Sequence, residues 1–128
     1  MPSAIPHRIA IIGASADRAK FGNKAVRAYL AGGYQVFPIH PTAKMIEGLP
    51  AYHSILEVPA EELDRVSLYL PPQIGLQAIE EIARKSVGEV WLNPGAESPA
   101  LIDRARQLGL KVVIGCSIVD IGVNPSDL

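Results

Sequence analysis

The sequence predicts an α/β domain built on a doubly wound parallel sheet of about five strands, and three observations carry that expectation. Short apolar runs recur without polar alternation, as in strands buried on both faces. Stretches of helical period separate most of these runs, and strand–helix alternation requires parallel strands joined by right-handed crossovers. Glycine, proline and small polar residues collect after the strand ends, at the edge where such sheets bind ligands.

RIAII, Arg8 to Ile12, is the first strand. After the loop GASADRAKFGN comes a helix, NKAVRAYLAGGYQ, with Val26, Tyr29 and Leu30 on one face and Gly32-Gly33 as its stop. QVFPI, Gln35 to Ile39, is the second strand and runs into HPTAK. Gly48, Pro50 and Pro59 make the stretch from Met45 to Glu62 a loop with a helical turn. DRVSLYL, Asp64 to Leu70, is the third strand, cut off at Pro71-Pro72 because proline has no N–H for a ladder. Between Gln73 and Lys85 the positions Ile79, Ile82 and Ala83 predict a helix, with Glu80–Arg84 and Glu81–Lys85 paired on its outer face. EVWLN, Glu89 to Asn93, is the fourth strand. Ser98 reads as an N-cap before Pro99, and Leu101, Ala105 and Leu108 mark the buried side of a helix ended by Gly109. KVVIG is the fifth strand, with Cys116 at its end. The pattern is Rossmann-like.

A chain of 128 residues suits one domain with one substantial core. Hydrophobic residues at 48% and charged residues at 20% exclude a disordered chain. The net charge of −1 leaves no basic field for nucleic acid or an anionic membrane, so an anion must be held locally. One cysteine rules out an intramolecular disulfide and points to the cytosol. No apolar run nears the roughly 18 residues of a membrane span, and MPSAIPHR is too short and proline-rich for a signal peptide. Residues 1–7 read as an untethered extension and 8–128 as the domain.

The strand-to-helix turn at Gly13-Ala14-Ser15 has the layout of a phosphate-binding loop, although it matches neither G-x-G-x-x-G nor G-x-x-x-x-G-K-[ST]. Its amides and the Ser15 hydroxyl are candidates to face a pyrophosphate; equally, any such turn favours small residues. Lys20 is either a phosphate partner or a solvated loop lysine. Dinucleotide folds place an acid near the end of the second strand to bind the ribose diol. Here that place reads Ile39-His40-Pro41, then Lys44, with no acid before Glu47. A lysine suits a ribose phosphate, which points away from NAD and leaves NADP or another nucleotide phosphorylated on its ribose. Pro71-Pro72 is a stop signal or a stiff wall for a long uncharged chain, and Asn93-Pro94-Gly95 a turn or a source of backbone and amide groups. Substituting Gly13→Val is expected to abolish binding in a chain that stays folded.

IIGAS with KFGN, PIHP followed by Lys44, LPP, and WLNPGAES together resemble the small stand-alone CoA-binding proteins of the YccU-like family. That fold is similar to the CoA-binding domain of the succinyl-CoA synthetase α subunit. The resemblance runs from about Arg8 to Cys116. It implies a single CoA-binding domain with coenzyme A as its cofactor. The pyrophosphate then lies on Gly13, Ala14 and Ser15, with Lys20, Phe21, Gly22 and Asn23 beside it. Lys44 and Arg18 serve the 3′-phosphorylated ribose, next to Pro38, His40 and Pro41. The pantetheine arm runs past Leu70, Pro71, Pro72 and Ile74 towards Asn93, Pro94 and Gly95. His40 stands where the family often has asparagine.

Catalytic machinery is not visible in the sequence. Succinyl-CoA synthetases form a phosphohistidine on a second domain, and the expectation here is that no such domain is present. His7, His40 and His53 read as solvent or loop histidines, and metal-ligand spacing is absent. Cys116 is a small buried residue or a thiol able to join CoA in a mixed disulfide. Ser15 lacks the G-x-S-x-G setting of a nucleophile. The expected function is therefore binding of CoA or an acyl-CoA without catalysis, as a sensor, carrier or partner of an acyl-CoA enzyme, with a homo-oligomer compatible. An NADP-binding oxidoreductase or regulator, and a docking subunit with an empty site, are the competing classes.

Overall fold

Strand β1 (Arg8–Ile12) has no exposed face: Ile9, Ala10 and Ile11 are wholly buried. In the computed structural model, which describes residues 6–128, it lies between β2 (Gln35–Ile39) and β5 (Glu62–Leu68). β6 (Ser86–Leu92) and β7 (Val112–Ile114) complete a five-stranded parallel sheet of order β2-β1-β5-β6-β7. The chain moves outward from β1 to β2, then returns past β1 to β5. Strand order therefore reverses between β1 and β5, and a crevice opens there beyond the carboxyl ends.

Alternate residues of the sheet feed two cores. Ala10, Ile12, Val66, Leu68, Val90 and Leu92 pack under α2 (Pro72–Ile82) and α3 (Pro99–Gln107), against Ile79, Ile82 and Leu101. Ile9, Ile11 and Val36 meet Val26 and Tyr29 of α1 (Phe21–Ala31) and Ile118 of the short α4 (Ser117–Asp120). Burial of these apolar faces on both sides of the sheet is the main stabilising term. The second face turns polar at β5 and β6. Arg65 reaches the Tyr29 hydroxyl (3.0 Å), pairs with Asp120 (2.8 Å), and lies over the Trp91 ring.

Several details differ from the sequence reading. Residues 45–50 are not plain loop: β3 (Met45–Ile46) and β4 (Leu49–Pro50) form a hairpin turned by Glu47 and Gly48, both with positive φ (50° and 77°). Glu-Gly is a poor advertisement for such a turn, which favours asparagine or aspartate before the glycine. The helical turn is present as a single 3₁₀ turn at Ile55–Glu57. β5 and β6 begin earlier and stop one or two residues sooner than read, and α2 ends at Ile82 rather than Lys85. Cys116 lies beyond β7, just before α4, an element not foreseen. Leu30 is partly exposed, so the buried face of α1 rests on Val26 and Tyr29.

The expected pairs along α2 are replaced by tertiary ones. Glu80 takes a two-pronged contact from Arg104 of α3 (2.6 and 2.8 Å), and Glu81 accepts from Ser54 Oγ (2.9 Å). Lys85 donates to the carbonyls of Val58 (3.1 Å) and Ala60 (2.7 Å). Partners fixed by the fold outcompete flexible neighbours on the same helix. His7 is likewise not untethered, since its carbonyl accepts from Gln35 N–H (2.8 Å) and its ring contacts Asp64 (3.4 Å). Residues 1–5 of the expected extension lie outside the described residues.

Tyr29 ties the sheet to α1 and α4: its hydroxyl donates to the Ser117 carbonyl (2.8 Å) and accepts from Arg65. Tyr29→Phe leaves that carbonyl and the guanidinium short of a partner. The expected loss is about 1–3 kcal/mol of unfolding free energy, measured by urea denaturation.

Candidate functional site

The loop between β1 and α1 is held from below. Asn23, fully buried, donates its amide to the Ser15 carbonyl (2.8 Å) and to Glu47 (3.0 Å). Its Oδ1 accepts from Arg27 Nε (2.7 Å), and the Arg27 guanidinium also holds the Arg18 carbonyl (2.9 Å). Within the loop, Ser15 Oγ accepts from the Asp17 N–H (3.0 Å) and Asp17 from the Ala19 N–H (3.0 Å). The loop is therefore a fixed shape before any ligand arrives. No side chain caps α1; the Asn23 and Lys24 N–H groups donate to the Lys20 carbonyl (3.1 and 3.0 Å), which leaves those of Phe21 and Gly22 for another acceptor. That end carries the positive pole of the helix.

Two close approaches build the crevice. Gly13 has φ +89°, and a Cβ there would stand 2.4 Å from the Tyr69 carbonyl oxygen. A Cβ on Gly22 would stand 2.1 Å from the Gly13 carbonyl oxygen. Only glycine at both positions lets α1 start against the ends of β1 and β5. A Gly13→Val side chain therefore meets backbone rather than ligand, so the variant is expected to lose stability, where the sequence predicted a chain that stays folded.

Three cavities follow one another across the carboxyl edge. The first, about 410 Å³, lies by β2 and is lined by His40, Pro41, Ile55, Leu70 and Ile74, among others. The second, about 360 Å³, shares Gly13 and Leu70 with it and runs along Lys20, Gly22, Pro71 and Pro94. The third, about 110 Å³, shares Phe21, Tyr69 and Pro94 with the second and is closed by Asn93 and Cys116. A larger open cleft, about 560 Å³, lies at the opposite edge around His7, Asp64 and Gly88. There Asp64 already accepts from the Arg8 N–H (2.7 Å) and contacts His7.

The residues read from the sequence thus separate into two groups. Gly13, Lys20, Phe21, Gly22, His40, Pro41, Leu70, Pro71, Pro72, Ile74, Asn93, Pro94 and Gly95 line the trough. Ala14, Ser15, Arg18, Asn23, Pro38 and Lys44 line none of these cavities. Ala14 and Asn23 are buried, and Asn23 holds the loop from within. Arg18 lies 3.6 Å from Glu47, the acid that the sequence placed too far along the chain to matter. Lys20 and Lys44 are exposed and have no carboxylate within 4.0 Å among the described residues. His40 Nδ1 accepts from the N–H groups of Thr42 (3.1 Å) and Ala43 (2.8 Å), the turn-forming service that asparagine gives elsewhere.

The floor at β5–β6 was not visible in the sequence. Asn93 Nδ2 donates to Ser67 Oγ (2.7 Å) and the Leu68 carbonyl (2.8 Å), while Oδ1 accepts from Ser117 N–H (2.9 Å). Ser67 and Ser117 hydroxyls share a hydrogen bond (2.7 Å), and Tyr69 joins them (3.2 Å). Burial pushes the Tyr69 hydroxyl up to about 12, so it is neutral in ordinary buffers. No group of three or more histidine, cysteine or acidic residues able to hold a metal is present among the described residues.

A doubly wound α/β sheet with a preformed trough at its switch point and an uncapped helix at the edge defines a nucleotide-binding class of domain. The chain belongs to the CoA-binding domain family, whose pattern matches residues 7–122. It is 30% identical over 118 residues to an ADP-forming acetate–CoA ligase of Archaeoglobus fulgidus, covering 84% of this chain and 17% of that one. An α subunit of an ADP-forming acetate–CoA ligase from Pyrococcus furiosus is 28% identical, with 84% of this chain and 26% of the subunit covered. The chain thus spans well under a third of these relatives' length. Among solved structures, a conserved hypothetical protein of Pyrococcus furiosus matches with TM-score 0.81 and 33% identity, over 89% of this chain and 98% of that one. A dinucleotide-forming acetyl-coenzyme A synthetase of Ca. Korarchaeum cryptofilum, in complex with phosphate and ADP, matches at TM-score 0.73 and 30% identity, over 84% and 25%. No helix among the described residues is long and apolar enough to cross a membrane.

Gly13→Ala and Gly22→Ala should each lower stability by about 1–3 kcal/mol or more through overpacking against backbone. Gly95→Ala, where φ is +93° but nothing lies within 4 Å, should cost only about 1 kcal/mol of backbone strain. Thermal unfolding of the three variants checks the contrast.

Tyr69 gives a pH expectation. Its folded pKa of about 12 lies above the ordinary tyrosine value of about 10, so between these the folded chain holds the proton more tightly. Its contribution to stability is complete below about pH 10 and is lost as pH rises towards 12. Tyr69→Phe should reduce the alkaline fall in denaturation midpoint, leaving the share of Tyr29, which burial also raises.

Proposed function

We propose that this domain binds coenzyme A or an acyl-CoA along the carboxyl-edge trough, as a non-catalytic sensor, carrier or partner of an acyl-CoA enzyme. The observation that carries the reading is the unbroken run of cavities from β2 to β7 beside an uncapped helix, in a chain of the CoA-binding family. In this reading the adenosine occupies the apolar cavity by His40 and Ile74. The pyrophosphate crosses Gly13 towards the open N–H groups of α1, with Lys20 beside it. Pantetheine lies along Leu70, Pro71 and Pro72, which offer an apolar wall with few competing donors. Lys44 serves the ribose 3′-phosphate, while Arg18 is held back by Glu47. The role of loop residues Ala14 and Ser15 is to shape the turn rather than to touch the ligand.

Kinship with parts of larger CoA ligases supports action beside an acyl-CoA enzyme.

Isothermal calorimetry tests the reading: CoA should bind more tightly than NAD, NADP or ATP. Equal or tighter binding of a nicotinamide nucleotide would move the domain to the NADP-binding class. Lys44→Ala should weaken CoA by about tenfold while leaving dephospho-CoA, which lacks the 3′-phosphate, nearly unchanged. Lys20→Ala should weaken both alike, and low salt should sharpen each effect.

A further inference from the structure

We infer that the small chamber between Phe21, Tyr69, Asn93, Pro94 and Cys116 receives the thiol end of the ligand and restricts any acyl group there to a short, uncharged one. This rests on the CoA reading above. The chamber opens from the pantetheine section of the trough, with which it shares Phe21, Tyr69 and Pro94, and lies at the far end from the adenosine cavity.

Its size sets the first limit. The cavity is about 110 Å³. An apolar cavity of roughly 150 Å³ accommodates a benzene ring, so this chamber takes about four heavy atoms. The sulfur, carbonyl carbon, carbonyl oxygen and methyl of an acetyl thioester number about that many. A longer chain must displace the walls. Those walls resist, because Asn93 is 1% exposed and anchored to Ser67, Leu68 and Ser117 by three hydrogen bonds. Phe21 is the yielding side, being 53% exposed.

Charge sets the second limit. No acidic or basic side chain lines the chamber. The Asn93 amide is committed on both atoms, and the Tyr69 hydroxyl is engaged by Ser117. A terminal carboxylate, as in a dicarboxylic acyl group, would be buried without a counter-charge.

Competition calorimetry with a thioester series tests this. Acetyl-CoA should bind within about threefold of CoA, and hexanoyl-CoA and succinyl-CoA about tenfold or more weakly. Phe21→Ala should recover hexanoyl-CoA relative to acetyl-CoA without recovering succinyl-CoA. Cys116→Phe, which fills the chamber, should penalise acetyl-CoA relative to CoA. The ratios are taken within each variant, so a general loss of affinity cancels. Equal affinity across the series in the wild type, with CoA bound, would overturn the chamber alone. Failure of CoA and every thioester to bind would overturn the CoA reading and the chamber with it.

Discussion

The contact between two glycines governs this molecule. Because Gly22 lies almost against the Gly13 carbonyl, and Gly13 against that of Tyr69, the start of α1 is wedged onto the seam between β1 and β5. Three backbone segments that would ordinarily be kept apart by side chains are thereby brought to atomic contact. That contact decides where the helix dipole points, where the trough passes, and how little room remains for loop movement. The ligand edge is a consequence of backbone geometry before it is a matter of functional groups.

Two buried asparagines then make the edge rigid. Asn23 fastens the first loop to α1 and to the β3–β4 hairpin, and Asn93 fastens β6 to β5 and α4. An amide offers donors and an acceptor in one plane, so each can join elements that share no ladder. In a buried setting such bonds are costly to break singly. The site is thus organised from beneath by amides whose hydrogen bonds go to the protein's own groups.

The sheet was legible because RIAII and QVFPI are short, uniformly apolar runs bounded by turn residues, as buried strands are. The helix start at Ser98 was legible because its Oγ accepts from the Leu101 N–H, a purely local event. The trough side chains around Pro71 and Pro94 were legible because strand ends are punctuated by proline and glycine. Roles set by distant partners were not. Nothing in the order of residues brings Glu47 to Asn23, or Ser117 to Ser67, and those meetings depend on chain crossings of 24 and 50 residues. The same blindness explains Glu80, whose partner Arg104 belongs to another helix. It also explains why Ser15 and Asn23, placed by motif against a ligand, turn inward to hold their own loop.

The neighbour relation of β1 and β5 bears on how the molecule comes into being. The bond from the Arg8 N–H to Asp64 spans 56 residues of chain, and closing such a loop costs entropy before the pairing returns any free energy. The Gly13–Tyr69 contact exists only once that seam has closed. Until that seam closes the chain has no trough. A ligand of the trough meets the finished topology alone: it deepens the native well by mass action and slows escape from it, without hastening arrival.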